Sequence, residues 1–349
     1  LRTRRQRQMC IRDRSGCRTA SRARGAGMRR VRVIGGGSWG SALATALHDA
    51  GNDVAVLVRD EATVMWLAEG RCRQLADIPP VGPIAASTDP AILDEADLVL
   101  LVVPVGATAA TIETAHRRTR TEAPLVLCAK GMAMTADGAR LMPELANAMA
   151  PGRPSVLLSG PSFADEVMRG LPAAVVAAGT DSAAVEMVQQ SFRASQLRVY
   201  ASDDPFGVAI GGTMKNVIAI AAGCAIGLGL GDNARAAIIT RGLAEMARLA
   251  AAEGAEAETI YGLSGAGDLA LSCAGPHSRN MAYGLALGRG ETPDARLAEG
   301  RNTVAALAAR GREKSIELPI TNGVDLVVNG GAPLGDVVAS LLARPAGSE

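Results

Sequence analysis

The stretch MRRVRVIGGGSWGSALATALHDAGNDVAVLVRD, residues 28–60, decides the fold. Its valines and isoleucine at 31–34 predict a short buried strand, and the small apolar residues at 41–47 predict one face of a helix. A second apolar strand follows at 54–58. A strand, a glycine-rich turn, a helix and a parallel strand in this order begin a dinucleotide-binding sheet.

The turn itself reads Gly35-x-Gly37-x-x-Gly40. These glycines allow a tight turn, a close approach of the pyrophosphate, and close packing of the helix on the strand. The N-terminus of the helix, at Ser38 and Trp39, presents free N–H groups to phosphate oxygens. An ordinary strand-to-helix turn is the alternative, and the two flanking strands favour nucleotide binding over it.

The end of the second strand bears on which nucleotide binds. An acid there would accept a hydrogen bond from the ribose 2′-OH of NAD, whereas an arginine can hold the 2′-phosphate of NADP. The strand ends Val58-Arg59-Asp60. Arg59 favours NADP, and Asp60 leaves NAD open.

Further apolar segments extend the sheet. Strands are predicted within residues 97–104, 124–131, 155–164 and 173–178. Lys130 follows one of them, and a Gly160-Pro161-Ser162 turn follows another. Because ligands bind at the carboxyl ends of parallel strands, we expect these groups to face one crevice.

The second half of the chain is predicted to be helical. Helices are expected at 206–226, 233–254, 278–288, 300–311 and 320–343, the last split at Gly330-Gly331. The fold class is therefore an α/β Rossmann domain followed by an all-α domain. We place these domains at residues 28–200 and 201–345. The boundary, near 198–205, has no Ser- or Pro-rich linker, so we expect rigid packing.

Lys215 stands alone in the apolar helix GGTMKNVIAIAAG, residues 211–223. Burial lowers the pKa of a lysine, and such an amine can exchange protons near neutral pH. Asp268 follows a glycine-rich bend, and Ser278-Arg279-Asn280 stands at a predicted helix start that suits a phosphate. Taken singly, Asp268 could be a helix cap and Arg279 a surface charge.

The first 27 residues differ in composition from the rest. They hold nine arginines and one acid, a charge of +8 within a total of +1, so residues 28–349 carry −7. We expect a disordered basic tail that belongs to no packed domain. The segment MCIRDR at 9–14 resembles a translated sequencing adaptor, which favours Met28 as the true start. A basic arm and a transit peptide are the alternatives.

Composition excludes several classes of function. The acidic body argues against nucleic-acid binding. The six cysteines show no C-x-x-C spacing and the three histidines are scattered, so we expect no metal and a reducing, cytoplasmic location. The apolar run at 217–231 is too short to span a bilayer and predicts a buried core helix.

Taken together, the motifs resemble those of bacterial NAD(P)-dependent glycerol-3-phosphate dehydrogenases over about residues 30–344. The motifs that carry the resemblance are VIGGGSWGSALA, CAKGM, LSGPSFADEV, GGTMKNVIAIAAGCAIGLGLGDNARAAIITRGLAEM, LSGAGDLALSC and HSRN. The resemblance implies a C-terminal domain like that of 6-phosphogluconate dehydrogenase. It also implies reversible reduction of dihydroxyacetone phosphate to sn-glycerol 3-phosphate, the backbone of phospholipids.

The resemblance also implies roles for individual residues. Lys215 matches the catalytic lysine. The implied substrate ligands are Lys130, Gly160, Ser162, Lys215, Asp268, Ser278, Arg279 and Asn280. The implied cofactor contacts are Gly35, Gly37, Ser38, Trp39, Gly40, Arg59, Lys130, Ala164, Arg279, Leu297 and Glu299. The segment at 290–296 is shorter than the family pattern, which weakens the assignment of Leu297 and Glu299.

Several alternatives stay open at this stage. A related dehydrogenase of hydroxy acids or sugar acids would use a lysine on the same helix. A nucleotide-binding regulatory module without activity is disfavoured because Lys130, Lys215, Asp268 and Arg279 are all present. Either Lys130 or Lys215 could carry the proton. Ala- and Gly-rich helices are compatible with a homodimer without requiring one.

Overall fold

The computed structural model describes residues 28–136, 138–294 and 298–343. Our predictions for residues 1–27 and for Leu297 lie outside these ranges. The strands among the described residues are β1 (Arg30–Ile34), β2 (Asp53–Leu57), β3 (Ala85–Ser87), β4 (Leu98–Leu101), β5 (Leu125–Leu127), β6 (Met132–Thr135), β7 (Gly138–Leu141), β8 (Ser155–Ser159), β9 (Ala173–Ala178) and β10 (Leu197–Ser202).

Eight of these strands form one sheet in the order β10-β9-β8-β5-β4-β1-β2-β3. The strands from β8 to β3 are parallel, so the carboxyl ends of β1, β4, β5 and β8 meet at one edge. β9 pairs with β8 antiparallel and with β10 parallel. The reversal of strand order beside β1 creates the crevice in which open α/β sheets bind ligands.

The apolar segments predicted as strands are confirmed as β1, β2, β4, β5, β8 and β9. The short strand β3 and the β6–β7 hairpin escaped prediction because each has few residues. The edge strand β10 also escaped prediction, because it pairs only with β9 and leaves most of its residues unburied. An apolar run is a signal of central strands and a poor guide to such edges.

Fourteen helices surround and follow the sheet in the described part of the chain. They are α1 (Ser38–Asp49), α2 (Glu61–Ala68), α3 (Val105–Arg118), α4 (Met142–Met149), α5 (Ala164–Met168), α6 (Ser182–Phe192), α7 (Pro205–Gly227), α8 (Gly231–Ala252), α9 (Ala257–Tyr261), α10 (Asp268–Ser272), α11 (Arg279–Gly288), α12 (Glu299–Glu313), α13 (Pro319–Val328) and α14 (Leu334–Leu342). The predicted helices of the second half are confirmed as α7, α8, α11, α12, α13 and α14. The short helices α9 and α10 were not predicted.

Two hydrophobic clusters hold these layers together. One lies between the sheet and the helices α1 and α6, while the other runs from the opposite face through α3 and α4 into the helical half. Both are built mainly from Ala, Val, Leu and Ile, as the low aromatic content predicts. Cys72, Cys128, Cys224 and Cys273 are buried free thiols within these clusters.

α7 is the central helix of the second half. Within the described residues it is the one helix long and apolar enough to cross a membrane, and 89% of its most apolar window is buried inside the protein. It crosses α11 at very short range: a Cβ at Gly284 would lie 2.0 Å from the carbonyl oxygen of Ile220. Glycine at this position therefore permits the close packing of the two helices.

Candidate active site

The glycine turn between β1 and α1 leaves room for a phosphate. Gly35 has φ +115°, and a Cβ there would meet the carbonyl oxygen of Val102 at 2.2 Å. A Cβ at Gly40 would meet the carbonyl oxygen of Gly35 at 1.9 Å. At Gly37, in contrast, no atom lies within 4 Å of the Cβ position. The first and third glycines are required by packing, whereas the second borders open space at the N-terminus of α1.

That helix terminus carries no competing group of its own. Gly37 is the N-cap of α1 and has no side chain, and no acid lies in the first turn. The free N–H groups of this turn and the positive end of the helix dipole suit an anion. The turn therefore fits the pyrophosphate of a dinucleotide.

The carboxylate of Asp60, at the end of β2, is engaged as a helix cap. Asp60 caps α2, and its Oδ1 accepts hydrogen bonds from the N–H and the hydroxyl of Thr63, both at 2.9 Å. These bonds lower the pKa of Asp60 below 3.8. Arg73 Nη1 lies 3.9 Å from the same oxygen. Arg59, the neighbour of Asp60 in the chain, is exposed. Two arginines therefore accompany a carboxylate that is already engaged as a helix cap.

Two lysines from different halves of the chain share one carboxylate. Lys215 Nζ on α7 donates to Asp268 Oδ1 at 2.7 Å and to Ser272 Oγ at 2.9 Å. Lys130 Nζ, in the segment after β5, donates to Asp268 Oδ2 at 2.6 Å and to the carbonyl oxygen of Gly160 at 3.1 Å. Asp268 is 2% exposed and Lys215 is 9% exposed, so little water screens these ion pairs.

This burial shifts the proton equilibria of the cluster. Burial lowers the pKa of Lys215 below 10.5; Asp268 raises it in part, and the charge of Lys130 lowers it again. Burial alone would raise the pKa of Asp268, but the two ammonium groups and their hydrogen bonds outweigh it and lower that pKa below 3.8. Asp268 is therefore ionised, while Lys215 loses its proton more readily than an ordinary lysine.

The sequence around Asp268 explains how its carboxylate reaches this position. The five-residue turn at Leu263–Gly267 wraps tightly, and a Cβ at Gly265 would meet the carbonyl oxygen of Ile260 at 2.0 Å. It delivers Asp268 as the first residue of α10 rather than as its cap, because the N-cap is Gly267. Ser272 lies one helical turn further on and therefore shares a face with Asp268.

A second chain of hydrogen bonds crosses the same region. Asn216 Nδ2 donates to the carbonyl oxygen of Lys130 at 3.4 Å, and Asn280 Nδ2 donates to Asn216 Oδ1 at 2.9 Å. Asn280 Oδ1 in turn accepts from the backbone N–H of Gly300 at 3.0 Å. These bonds fix α7, α11 and α12 against the end of β5.

These groups surround a cavity of about 400 Å³ between the sheet edge and the helical half. It is lined by Ser38, Trp39, Leu75, Cys128, Lys130, Ser162, Phe163, Ala164, Asp165, Lys215, Asn216, Ser272, His277, Ser278, Arg279, Asn280 and Glu299. Glu299 Oε1 lies 4.0 Å from Arg279 Nη2. The cavity therefore holds cations at its floor and at its rim.

The structure brings most of the predicted site residues together. Ten of them line the cavity, and Gly160 and Asp268 lie behind Lys130. Gly35, Gly37 and Gly40 form the adjoining turn, while Arg59 lies outside the cavity lining at the end of β2. The sequence reading assigned no role to Ser272, Asn216 or His277. The spacing of four between Asp268 and Ser272, on one helix face, was the signal available for Ser272.

A parallel sheet with a phosphate-fitting glycine turn, closed by a helical domain that carries a buried lysine, defines a two-domain NAD(P)-dependent dehydrogenase. The family pattern described as NAD-dependent glycerol-3-phosphate dehydrogenase N-terminus matches residues 30–185, and the pattern for the C-terminus matches residues 204–339. The chain belongs to this family.

Relatives of the same length share this assignment. A glycerol-3-phosphate dehydrogenase [NAD(P)+] of Mesorhizobium japonicum is 44% identical over 92% of this chain and 94% of that protein. One of Chelativorans sp. is 43% identical over 91% of this chain and 98% of that protein. The crystal structure of glycerol-3-phosphate dehydrogenase from Coxiella burnetii is similar with a TM-score of 0.84 at 35% identity, covering 91% of this chain and 99% of that one.

Proposed function

We propose that the protein interconverts dihydroxyacetone phosphate and sn-glycerol 3-phosphate with NAD(P)(H). The observation that carries this proposal is the Lys130–Asp268–Lys215 cluster at the floor of a cavity that borders the glycine turn. Family membership and the names of the relatives support the same reaction.

The chain fits a nicotinamide dinucleotide. The open space at Gly37 and the free N–H groups of α1 would hold its pyrophosphate, while Ser38, Trp39 and Ala164 would line its path into the cavity. When bound, the cofactor supplies or accepts the hydride. The protein must then handle the proton and the charge on the substrate oxygen.

Lys215 is proposed as the group that handles the proton. As carbonyl reduction proceeds, negative charge develops on the substrate oxygen, and an ammonium within hydrogen-bond reach stabilises it and donates a proton. In the oxidising direction the neutral amine accepts the hydroxyl proton. Asp268 orients both lysines through its two oxygens, and its charge raises the pKa of Lys215, which favours the protonated amine.

The other end of the cavity is proposed to hold the substrate phosphate. Ser278 caps α11, and Arg279 and Asn280 begin that helix beside the cavity. A helix N-terminus and a guanidinium together favour a dianion over a neutral ketone. Ser162 would line the carbon skeleton between phosphate and lysine, and the carbonyl oxygen of Gly160 would hold Lys130 beside it.

We also propose NADP as the preferred cofactor, because Arg59 and Arg73 flank an Asp60 that is engaged as a helix cap.

In the cell the product would supply the backbone of glycerophospholipids. The buried free thiols are compatible with the reducing cytoplasm. Leu230 and Leu342, 47% and 79% exposed, line the same apolar cavity, and we propose that a homodimer covers it, which light scattering would test.

The reaction is tested by following NADPH and NADH oxidation at 340 nm with dihydroxyacetone phosphate as substrate. A panel of 2-keto acids and of unphosphorylated dihydroxyacetone serves as the comparison. We expect turnover of the phosphorylated ketone and little turnover of the others. Preference for a 2-keto acid would point to the hydroxy-acid dehydrogenase alternative, and nucleotide binding without any turnover would point to a regulatory module.

A further inference from the structure

One contact across the rim of the cavity has no part in the proposed reaction. His277 Nε2 lies 3.2 Å from Asp165 Oδ1, and its ring packs on Phe163 with centroids 4.2 Å apart and planes inclined by 39°. Phe163 and Asp165 stand at the start of α5, in the Rossmann-type domain. His277 precedes α11 in the helical domain. The contact therefore joins the two domains over the cavity mouth.

The position of His277 in the chain gives this contact its significance. The residue directly precedes Ser278-Arg279-Asn280, the segment proposed to hold the substrate phosphate. Phe163 and Asp165 follow Ser162, which lines the opposite wall. Whatever fixes His277 on α5 also fixes the distance between these two walls.

Asp165 offers His277 an ionised carboxylate as its partner. Burial alone would raise the pKa of Asp165, but Arg169 at 2.7 Å and His277 outweigh it and lower that pKa below 3.8. The carboxylate is therefore present throughout the neutral range. Glu166 on α5 is exposed, and the remaining charged groups that line the cavity are Lys130, Lys215, Arg279 and Glu299.

We propose that His277 is a positioning residue, which clasps α5 to the phosphate-binding segment and keeps the cavity closed on a phosphorylated substrate. This inference rests on the proposed function. A ring N–H that donates to an ionised carboxylate makes a charge-assisted hydrogen bond, which is stronger than one between neutral groups.

The test compares wild type with His277→Ala, His277→Gln and the matched control Arg169→Met. Glutamine keeps a donor to Asp165, and Arg169→Met removes the other partner of Asp165, at the C-terminal end of α5, while His277 stays in place. Thermal unfolding of each variant checks that the fold is retained. The KM for dihydroxyacetone phosphate and kcat are measured for all variants under the same conditions.

We expect His277→Ala to raise KM roughly three- to tenfold, with kcat within about twofold, because one charge-assisted hydrogen bond and a ring contact are lost. His277→Gln should restore most of the affinity, and Arg169→Met should stay near wild type.

An unchanged KM in His277→Ala would overturn the inference, as would a KM for His277→Gln as high as that of His277→Ala. A fall in kcat at constant KM would also overturn it, since it would assign His277 to the chemistry. Turnover of dihydroxyacetone phosphate by the wild type tests the proposed function by itself. The two failures are therefore distinguishable.

Discussion

Lys215 and Asp268 lie 53 residues apart in sequence and form a buried ion pair of 2.7 Å. The pair joins the central helix α7 to the short helix α10, and the second oxygen of the carboxylate reaches Lys130 in the segment after β5. Burial and the neighbouring charges both act on the pKa of Lys215. The ion pair therefore helps to set that pKa and also holds the amine in position.

Replacing Lys215 by alanine tests its role in proton transfer. We expect kcat to fall about 100-fold or more, the usual scale for a general acid–base, with nucleotide affinity nearly unchanged. Stopped-flow or steady-state assays at 340 nm give kcat, and fluorescence titration gives the nucleotide Kd. Lys314→Ala, whose amine pairs with Glu253 at 3.4 Å away from the cavity, is the control and should remain active. Turnover like that of wild type would remove Lys215 from the mechanism.

Replacing Asp268 by asparagine tests the electrostatics. Asp268 raises the pKa of Lys215, so its loss should lower that pKa further, with Lys130 still acting in the same direction. Since ketone reduction needs the protonated amine, the alkaline decline of kcat/KM should move to lower pH. The pKa read from this alkaline limb of the pH profile belongs to the coupled cluster and not to one residue. Ser272→Ala removes a hydrogen bond without a charge and should move the limb less. A limb that stays in place, or moves to higher pH, would contradict this account.

Replacing Arg59 by aspartate tests the preference for NADP. A hydrogen-bonded charge contact is lost and a carboxylate repels the 2′-phosphate, so the ratio of kcat/KM for NADPH to that for NADH should fall roughly 10- to 100-fold. Arg312→Asp makes the same charge change on the exposed side of α12 and should leave the ratio unchanged. An unaltered preference in Arg59→Asp would show that the 2′-phosphate is read elsewhere.

Replacing Gly284 by alanine tests the close crossing of α7 and α11. The new methyl group would lie 2.0 Å from the carbonyl oxygen of Ile220, so the helices must separate. We expect the free energy of unfolding to drop by about 3 kcal/mol, measured by urea denaturation. Gly335→Ala on α14, with no atom within 4 Å of its Cβ position, should be neutral or more stable by up to about 1 kcal/mol. Equal stability of both variants would show that the crossing adjusts without cost.

Local patterns predicted much of this molecule. The central strands appear as apolar runs, the helices of the second half as long periodic segments, and the glycine turn as a spaced motif. Each of these signals depends on neighbours in sequence. The edge strand β10, the hairpin β6–β7 and the short helices α9 and α10 were missed because their residues are few or half-exposed, and their stability comes from what they pack against.

The candidate site divides in the same way. The sequence by itself determined that a lysine would lie in an apolar helix and that an acid, an arginine and a glycine turn would accompany it. The tertiary structure alone decided that Asp268 bridges Lys215 and Lys130, that Asp60 is occupied as a cap, and that His277 meets Asp165. The physical reason is that burial, pKa and hydrogen-bond partners depend on distances between residues far apart in the chain, which no local pattern of residue types contains.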